Sequence, residues 1–160
     1  MKTWMFLITS LALTTTATAG DLNLIANGKA YHFDRDIPRN ENNWGFGMQY
    51  SFESDTRNSS FVTVSSFKDS YDNTSNYIGS GIQRRYFLNK LAIKSHLDIG
   101  VMGFAMTRKN YRDGTPFLGA IPFVSVGNDK FAVNMTYIPK MSFNESALVF
   151  FQFMFNLNAD

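Results

Sequence analysis

The sequence predicts an all-β fold, an eight-stranded antiparallel transmembrane β-barrel, on three observations. Large apolar residues alternate with small or polar residues at a period of two in segment after segment. These segments are joined by short and long polar connections in turn. Aromatic residues make up 16% of the chain, yet its mean hydropathy is slightly negative. A barrel with an apolar outer face and a polar interior accounts for all three observations.

The alternation is clearest in residues 44–52, 131–137 and 149–155. One face of each segment is uniformly large and apolar, whereas the other face is small, polar or mixed. A soluble β-sandwich can also alternate, but its water-facing side usually carries lysine, glutamate and threonine rather than glycine, glutamine and asparagine. The pattern therefore favours strands of about 9–11 residues that cross a membrane.

Eight such strands can be placed along the chain. They are predicted at 22–33, 44–54, 59–67, 77–88, 91–107, 117–126, 130–139 and 147–157. The connections at 54–58, 88–90 and 127–129 are short, and those at 34–43, 68–76, 108–116 and 140–146 are longer. Tight periplasmic turns and longer outer loops are typical of bacterial outer-membrane barrels. We therefore expect this location, and a monomer, since a closed barrel has no free edge strand.

The N-terminal residues have the features of a secretory signal peptide. Lys2 supplies a positive charge, residues 4–13 are mostly apolar, and Ala17-Thr18-Ala19 fits a cleavage site. A short membrane anchor is the alternative, but the apolar run is shorter than the ~20 residues that a spanning helix needs. We predict a signal peptide at 1–19 and a single barrel domain at 20–160.

Charge and composition exclude several classes of function. The formal net charge is +2, which does not suggest a partner as strongly charged as nucleic acid. Cysteine is absent, which excludes disulfides, thiol chemistry and the commonest soft metal ligands. The chemistry must therefore come from other side chains.

Three side chains that suit acyl or proton transfer are predicted to meet at one end of the barrel. Strands one and three run in the same direction, so His32 and the Asp69-Ser70 pair lie at the same outer rim. An imidazole, a carboxylate and a hydroxyl together suit this chemistry. The residues alone leave an alternative open, because a histidine at a strand end is commonly a surface residue and Asp-Ser is ordinary turn chemistry. His96 lies low on the inward face of strand five, where we expect a structural role.

Several segments of the chain form a recognisable series. They are Tyr31-His32, Asn40-Glu41, Trp44-Gly45-Phe46-Gly47, Phe67-Lys68-Asp69-Ser70-Tyr71, Gly79 with Gly81, Pro122 with Ser125-Val126-Gly127, and Met135-Thr136-Tyr137-Ile138-Pro139. This series resembles the lipid A palmitoyltransferase family (PagP) over nearly the whole predicted barrel. The Phe-Lys-Asp-Ser and Met-Thr-Tyr-Ile-Pro segments are its most specific parts.

The resemblance implies a reaction and a catalytic set. A palmitoyl chain would leave a phospholipid and be attached to a hydroxyl on an acyl chain of lipid A, with no metal or nucleotide cofactor. The family's catalytic residues carry over onto His32, Asp69 and Ser70. We expect His32 to act as general base on the accepting hydroxyl, with Asp69 and Ser70 orienting it or supporting the developing charge. A covalent role for Ser70 stays open, although no Gly-x-Ser-x-Gly elbow surrounds it.

The resemblance also implies a lipid pocket with access through the barrel wall. Gly81 matches the position that sets pocket depth in the family, so that Gly81→Met should select shorter chains. Met102 and Phe104 are predicted to face the same pocket. Pro122 and Pro139 lie in facing strands, and proline weakens a ladder because it donates no backbone hydrogen bond. We predict a lateral gate there, whereas a matching proline near the first two strands is not evident.

Two features depart from the family, and two other functions stay open. The first strand is predicted to begin almost at Asp21, so the N-terminal amphipathic helix of better-known members is not evident. The loop from His32 to Trp44 also looks shorter. A non-catalytic barrel, structural or adhesive, and a lipid A deacylase are the alternative functions.

Independently of the family, the alternation points Arg85 and Asp98 into the lower interior, where buried charges must pair.

Overall fold

A computed structural model describes residues 20–34, 36, 38–52, 57–88, 95–141 and 145–159, which form a closed antiparallel barrel. Its strands are β1 Gly20–His32, β2 Asn42–Phe52, β3 Asn58–Lys68, β4 Thr74–Leu88, β5 Ser95–Thr107, β6 Phe117–Asn128, β7 Phe131–Ile138 and β8 Leu148–Asn156. Each strand pairs with its neighbours in chain order, and β1 closes the barrel against β8. The predicted eight-stranded barrel is confirmed, whereas the predicted signal peptide at 1–19 lies outside the described residues.

The alternation in the sequence separates the two faces of the barrel wall. Along β2, Trp44 and Phe46 are 61% and 64% exposed, whereas Asn43 and Gln49 are buried. The outer face is therefore largely apolar, as a wall in contact with lipid requires. No helix in the described part of the chain has the length and apolar composition of a membrane span.

The barrel has a loop end and a turn end. The loop end carries the connections that follow β1, β3, β5 and β7, three of which are nine residues long, whereas the β3–β4 connection has five and departs from the predicted alternation of short and long connections. The turn end carries the connections that follow β2, β4 and β6. Because β1 and β3 both run toward the loop end, the residues at their ends, His32 and Lys68, lie at the same rim.

Two phenylalanine rings divide the interior of the barrel. Phe61 of β3 and Phe123 of β6 meet with their centroids 5.6 Å apart and their planes at 78°, and both are buried. Such edge-to-face pairs attract each other beyond their area of burial. Gly81 of β4 and Gly100 of β5 leave room for the rings, since a Cβ on either glycine would lie 2.5 Å from a ring carbon.

A polar chamber of about 700 Å³ lies on the turn-end side of these rings. Arg85 of β4 donates from Nε and Nη2 to the two carboxylate oxygens of Asp98 of β5, at 2.9 and 2.8 Å. This contact confirms the pairing that the alternation predicts. His96 lies beside it, with Nε2 3.5 Å from Asp98 Oδ2. The Asp98 side chain is 4% exposed, so Arg85 compensates a charge that would otherwise be buried alone.

Candidate functional site

The loop end of the barrel brings His32 and Ser70 into direct contact. His32 Nε2 lies 2.9 Å from Ser70 Oγ, within hydrogen-bond distance. His32 ends β1 and Ser70 lies in the turn after β3, with β2 between the two strands. Both side chains are buried, so they meet on the inner side of the wall. The structure therefore places two of the three predicted catalytic residues together.

Asp69 is part of the same site but makes different contacts. Its carboxylate accepts hydrogen bonds from two backbone N–H groups of its own turn, at 2.9 and 3.0 Å, and from the Ser75 hydroxyl at 3.0 Å. Its Oδ2 also lies 3.7 Å from Nε of Arg108. These groups, rather than His32, are its described partners. Asp69 therefore holds the turn that carries Ser70.

The loop between β1 and β2 packs onto this turn. The backbone N–H of Asn40 donates to the carbonyl of Ser70 at 2.9 Å, and the Asn40 side chain donates to the carbonyl of Asp69 at 3.3 Å. The Asn43 side chain adds a bond to the carbonyl of Lys68 at 2.7 Å. The Asn40-Glu41 segment is part of the family resemblance, but the sequence assigns it no role. The structure shows that Asn40 joins the loop to the Ser70 turn.

Charged groups to which the sequence assigns no role lie near His32. Its Nδ1 is buried and has no hydrogen-bond partner among the described residues. Arg39, Glu41 and Arg108 are close enough to act on the ring electrostatically. The two-residue alternation of β5, continued one residue past the end of the strand, could have identified Arg108, which comes two residues after the inward-facing Met106. Arg39 lies in a loop, where no such pattern applies.

An apolar cavity of about 80 Å³ lies against this cluster. Asp69, Ser70 and Arg108 border it, and Met102 and Phe104 line it, in agreement with their predicted inward orientation. Its other apolar lining includes Phe67, Ile121 and Phe150. The cavity is apolar with the polar Ser70 at its border, and its volume is below the roughly 300–1,000 Å³ of typical ligand pockets, so it accommodates a short apolar segment beside Ser70.

Gly81, predicted to set the depth of the lipid pocket, does not border this cavity, because the ring of Phe61 covers it. The Phe61–Phe123 pair fills the barrel at this level instead. The interior of an eight-stranded barrel is narrow enough for side chains from other strands to occupy the space that a glycine leaves.

We expect Gly81→Ala to lower the free energy of unfolding by about 1–3 kcal/mol, the usual cost of overpacking. A Cβ there would lie 2.5 Å from the Phe61 ring and 2.6 Å from the carbonyl oxygen of Val101. Gly103→Ala is the matched control, since the nearest atom to its Cβ would be 4.0 Å away. The measurement is unfolding of both variants in detergent. Equal free energies of unfolding for the two variants would show that the Phe61 ring moves aside without a loss of stability.

Pairing between β6 and β7 stops short of the loop end. The register of these strands ends at Phe123 opposite Thr136. Pro122 is the next residue of β6 and lies in register with Val101 of β5. Pro139 directly follows the last residue of β7. The two prolines therefore flank a seam in the described wall, and neither can donate a backbone hydrogen bond across it.

The chain is similar to known proteins along most of its length. A family model described as "Antimicrobial peptide resistance and lipid A acylation protein PagP" matches residues 14–154. The lipid A acyltransferases PagP of Bordetella pertussis and Bordetella bronchiseptica are each 27% identical over 125 residues, which are 78% of this chain and 67% of theirs.

Two solved structures of outer-membrane proteins are also similar to it. Yersinia pestis Ail in a phospholipid nanodisc has a TM-score of 0.46 at 9% identity, over 87% of this chain and 100% of that chain. The N-terminal β-barrel domain of Pseudomonas aeruginosa OprF has a TM-score of 0.45 at 10% identity, with the same coverage. The residues that the family model matches, 14–154, include His32, Asp69 and Ser70. The chain therefore belongs to the PagP family of lipid A acylation proteins and is an acyltransferase of the bacterial outer membrane.

Proposed function

We propose that this protein transfers a palmitoyl chain from a phospholipid to a hydroxyl group on an acyl chain of lipid A. The observation that carries the proposal is the 2.9 Å contact between His32 Nε2 and Ser70 Oγ, next to an apolar cavity bordered by Ser70. An acyl chain whose first carbons enter that cavity would have its ester beside Ser70, whose Oγ contacts His32. The family match supports lipid A as the acceptor.

In this proposal His32 is the general base. When Nε2–H donates to Ser70 Oγ, the neutral ring keeps an unprotonated Nδ1, which has no hydrogen-bond partner among the described residues. The accepting hydroxyl gives its proton to Nδ1 while its oxygen attacks the ester carbonyl. The new ester bond forms, and the bond between the carbonyl carbon and the glycerol oxygen breaks. The proton then passes to the glycerol oxygen, so that the products are a lysophospholipid and acylated lipid A.

Ser70 and Asp69 support the same step in different ways. In this tautomer Ser70 Oγ accepts from the imidazole Nε2–H and can donate its own hydroxyl to the oxyanion that develops at the carbonyl. Asp69 does not need to contact substrate, because its carboxylate holds the Ser70 turn and lies beside Arg108. We therefore assign Asp69 a positioning role.

The proposed lipid entrance is the seam between β6 and β7, flanked by Pro122 and Pro139. A lipid that enters there would remain in contact with the membrane while its acyl chain reaches Met102 and Phe104. Each methylene that enters the apolar cavity contributes about 0.8 kcal/mol of burial. One barrel contains the whole proposed site, and we therefore propose that the protein acts as a monomer.

Mass spectrometry of lipid A tests this function. The chain would be expressed in a strain that has no enzyme of this family, and we expect a palmitoyl increment on lipid A only when the chain is present. Heat-dependent gel migration of outer-membrane fractions would show that the barrel is folded. Unchanged lipid A beside folded protein would favour a non-catalytic barrel, whereas loss of an acyl group would favour a deacylase.

A further inference from the structure

Arg39 is a buried cation beside the proposed site to which the mechanism assigns no task. It lies in the loop between β1 and β2, and its side chain is 5% exposed. The next residue, Asn40, is hydrogen-bonded to the backbone of Ser70, which holds Arg39 near the Ser70 turn. Arg39 also acts electrostatically on His32.

The guanidinium group of Arg39 is only partly compensated. Its Nη1 is buried and has no hydrogen-bond partner among the described residues. Its Nη2 lies 3.6 Å from Oε2 of Glu145, which is longer than a normal hydrogen bond, and Glu145 is 64% exposed. A buried charge that is incompletely paired costs free energy. An anion that reached Nη1 would remove this cost.

Glu145 is also shared with another donor. The hydroxyl of Tyr71 donates to the same Oε2 at 2.8 Å. Burial and this hydrogen bond raise the pKa of Tyr71, so its hydroxyl stays protonated and remains the donor. The other buried arginine of the site, Arg108, lies beside Asp69. Of these two buried arginines, Arg39 therefore has the less compensated positive charge.

We propose that Arg39 binds the phosphate group of a lipid substrate. Phosphate oxygens match the planar fork of a guanidinium group, which can hold two of them at once. The neighbouring Asn40 is bonded to the Ser70 turn, and Arg39 Nη2 is 3.6 Å from the exposed Glu145, so a phosphate on Arg39 would lie on the loop side of an ester held beside Ser70. In a glycerophospholipid only the glycerol carbons separate the phosphate from the ester. This inference rests on the proposed function, because that function places the ester beside His32.

Phosphate is present on both proposed substrates, and the test separates them. One probe is a dihexadecyl-ether phosphatidylethanolamine, which binds like a donor but cannot transfer its chains, and its phosphate-free counterpart is dihexadecylglycerol. The other probe is lipid A, with dephosphorylated lipid A as its counterpart. Calorimetric titration into the folded barrel in detergent measures the four affinities without any turnover.

We expect Arg39→Gln to weaken the binding of one phosphate-carrying probe about 10- to 100-fold, the usual worth of hydrogen bonds to a charged group. Binding of its phosphate-free counterpart should not change. Arg39→Lys should recover part of the loss, since it keeps the charge but not the fork. Lys109→Gln, which removes an exposed charge from another loop at the same end, is the matched control and should bind as the native protein does.

The phosphate-carrying probe that Arg39→Gln binds more weakly shows whether Arg39 holds the phosphate of the phospholipid donor or that of the lipid A acceptor. Native affinity of Arg39→Gln for all four lipids would overturn the inference. Equal losses for lipids with and without phosphate would also overturn it, because Arg39 would then act on the fold or on the ester. Phosphate-dependent binding in a protein that transfers no acyl chain would count against the proposed function alone.

Discussion

Replacing Ser70 with alanine or His32 with asparagine is expected to lower the rate of acyl transfer about 10²- to 10⁴-fold, the usual contribution of a positioned general base and its partner. The reason is that the 2.9 Å contact makes the two side chains one unit. Removing either side chain leaves the other without its hydrogen-bond partner. The double variant should therefore be little slower than either single variant.

The measurement is the rate of palmitoyl transfer from phospholipid to lipid A per folded barrel. His96→Asn is the matched control, because His96 is the other histidine of the chain and lies in the polar chamber at the opposite end. It should transfer at the native rate once the folded fraction is counted. A fully active His32→Asn variant would exclude His32 as the base.

Asp69→Ala is expected to differ from these two variants by losing stability as well as activity. It leaves two backbone N–H groups and the Ser75 hydroxyl without the acceptor that they have in the native turn. A buried donor without an acceptor costs about 1–3 kcal/mol, which applies to the fully buried Ser75, whereas the two partly buried N–H groups lose less because water can reach them. Normal stability together with lost transfer would indicate instead that Asp69 acts directly on substrate.

Arg85→Met is expected to lower the free energy of unfolding by about 3 kcal/mol, the lower part of the range for breaking a buried ion pair. The variant leaves the Asp98 carboxylate buried and without its two strongest hydrogen bonds. The lower value is appropriate because the polar chamber that both residues line can supply water. Replacing Asp98 with leucine in the same chain removes the unpaired charge, so the double variant should recover much of the loss.

Unfolding of the native protein, both single variants and the double variant in detergent gives the coupling energy of the pair. The lipid A modification by Arg85→Met measures whether the chamber influences the distant site. Additive losses in the two single variants would mean that Arg85 and Asp98 do not depend on each other. Such a result would contradict the contact that both the alternation and the structure support.

The two-residue period of the sequence was sufficient to predict the barrel, the strand order and the face of most strand residues. The contact between Arg85 and Asp98 followed from the same period, because β4 and β5 are consecutive and both side chains point inward. The meeting of His32 and Ser70 could also be anticipated, since β1 and β3 run toward the same end. In these cases the information is local, because strand geometry determines which face a residue occupies.

The tertiary structure alone decided how far each inward side chain reaches and what it meets. The cavity does not extend to Gly81, because the Phe61 and Phe123 rings from other strands fill the barrel at that level. In the same way, Asp69 contacts its own turn and Arg108 rather than His32, and Arg39 becomes buried where its loop packs on the Ser70 turn. The alternation of a strand specifies direction but not the separation of distant strands or the path of a loop. Those distances are set only when the barrel closes and all side chains compete for one narrow interior.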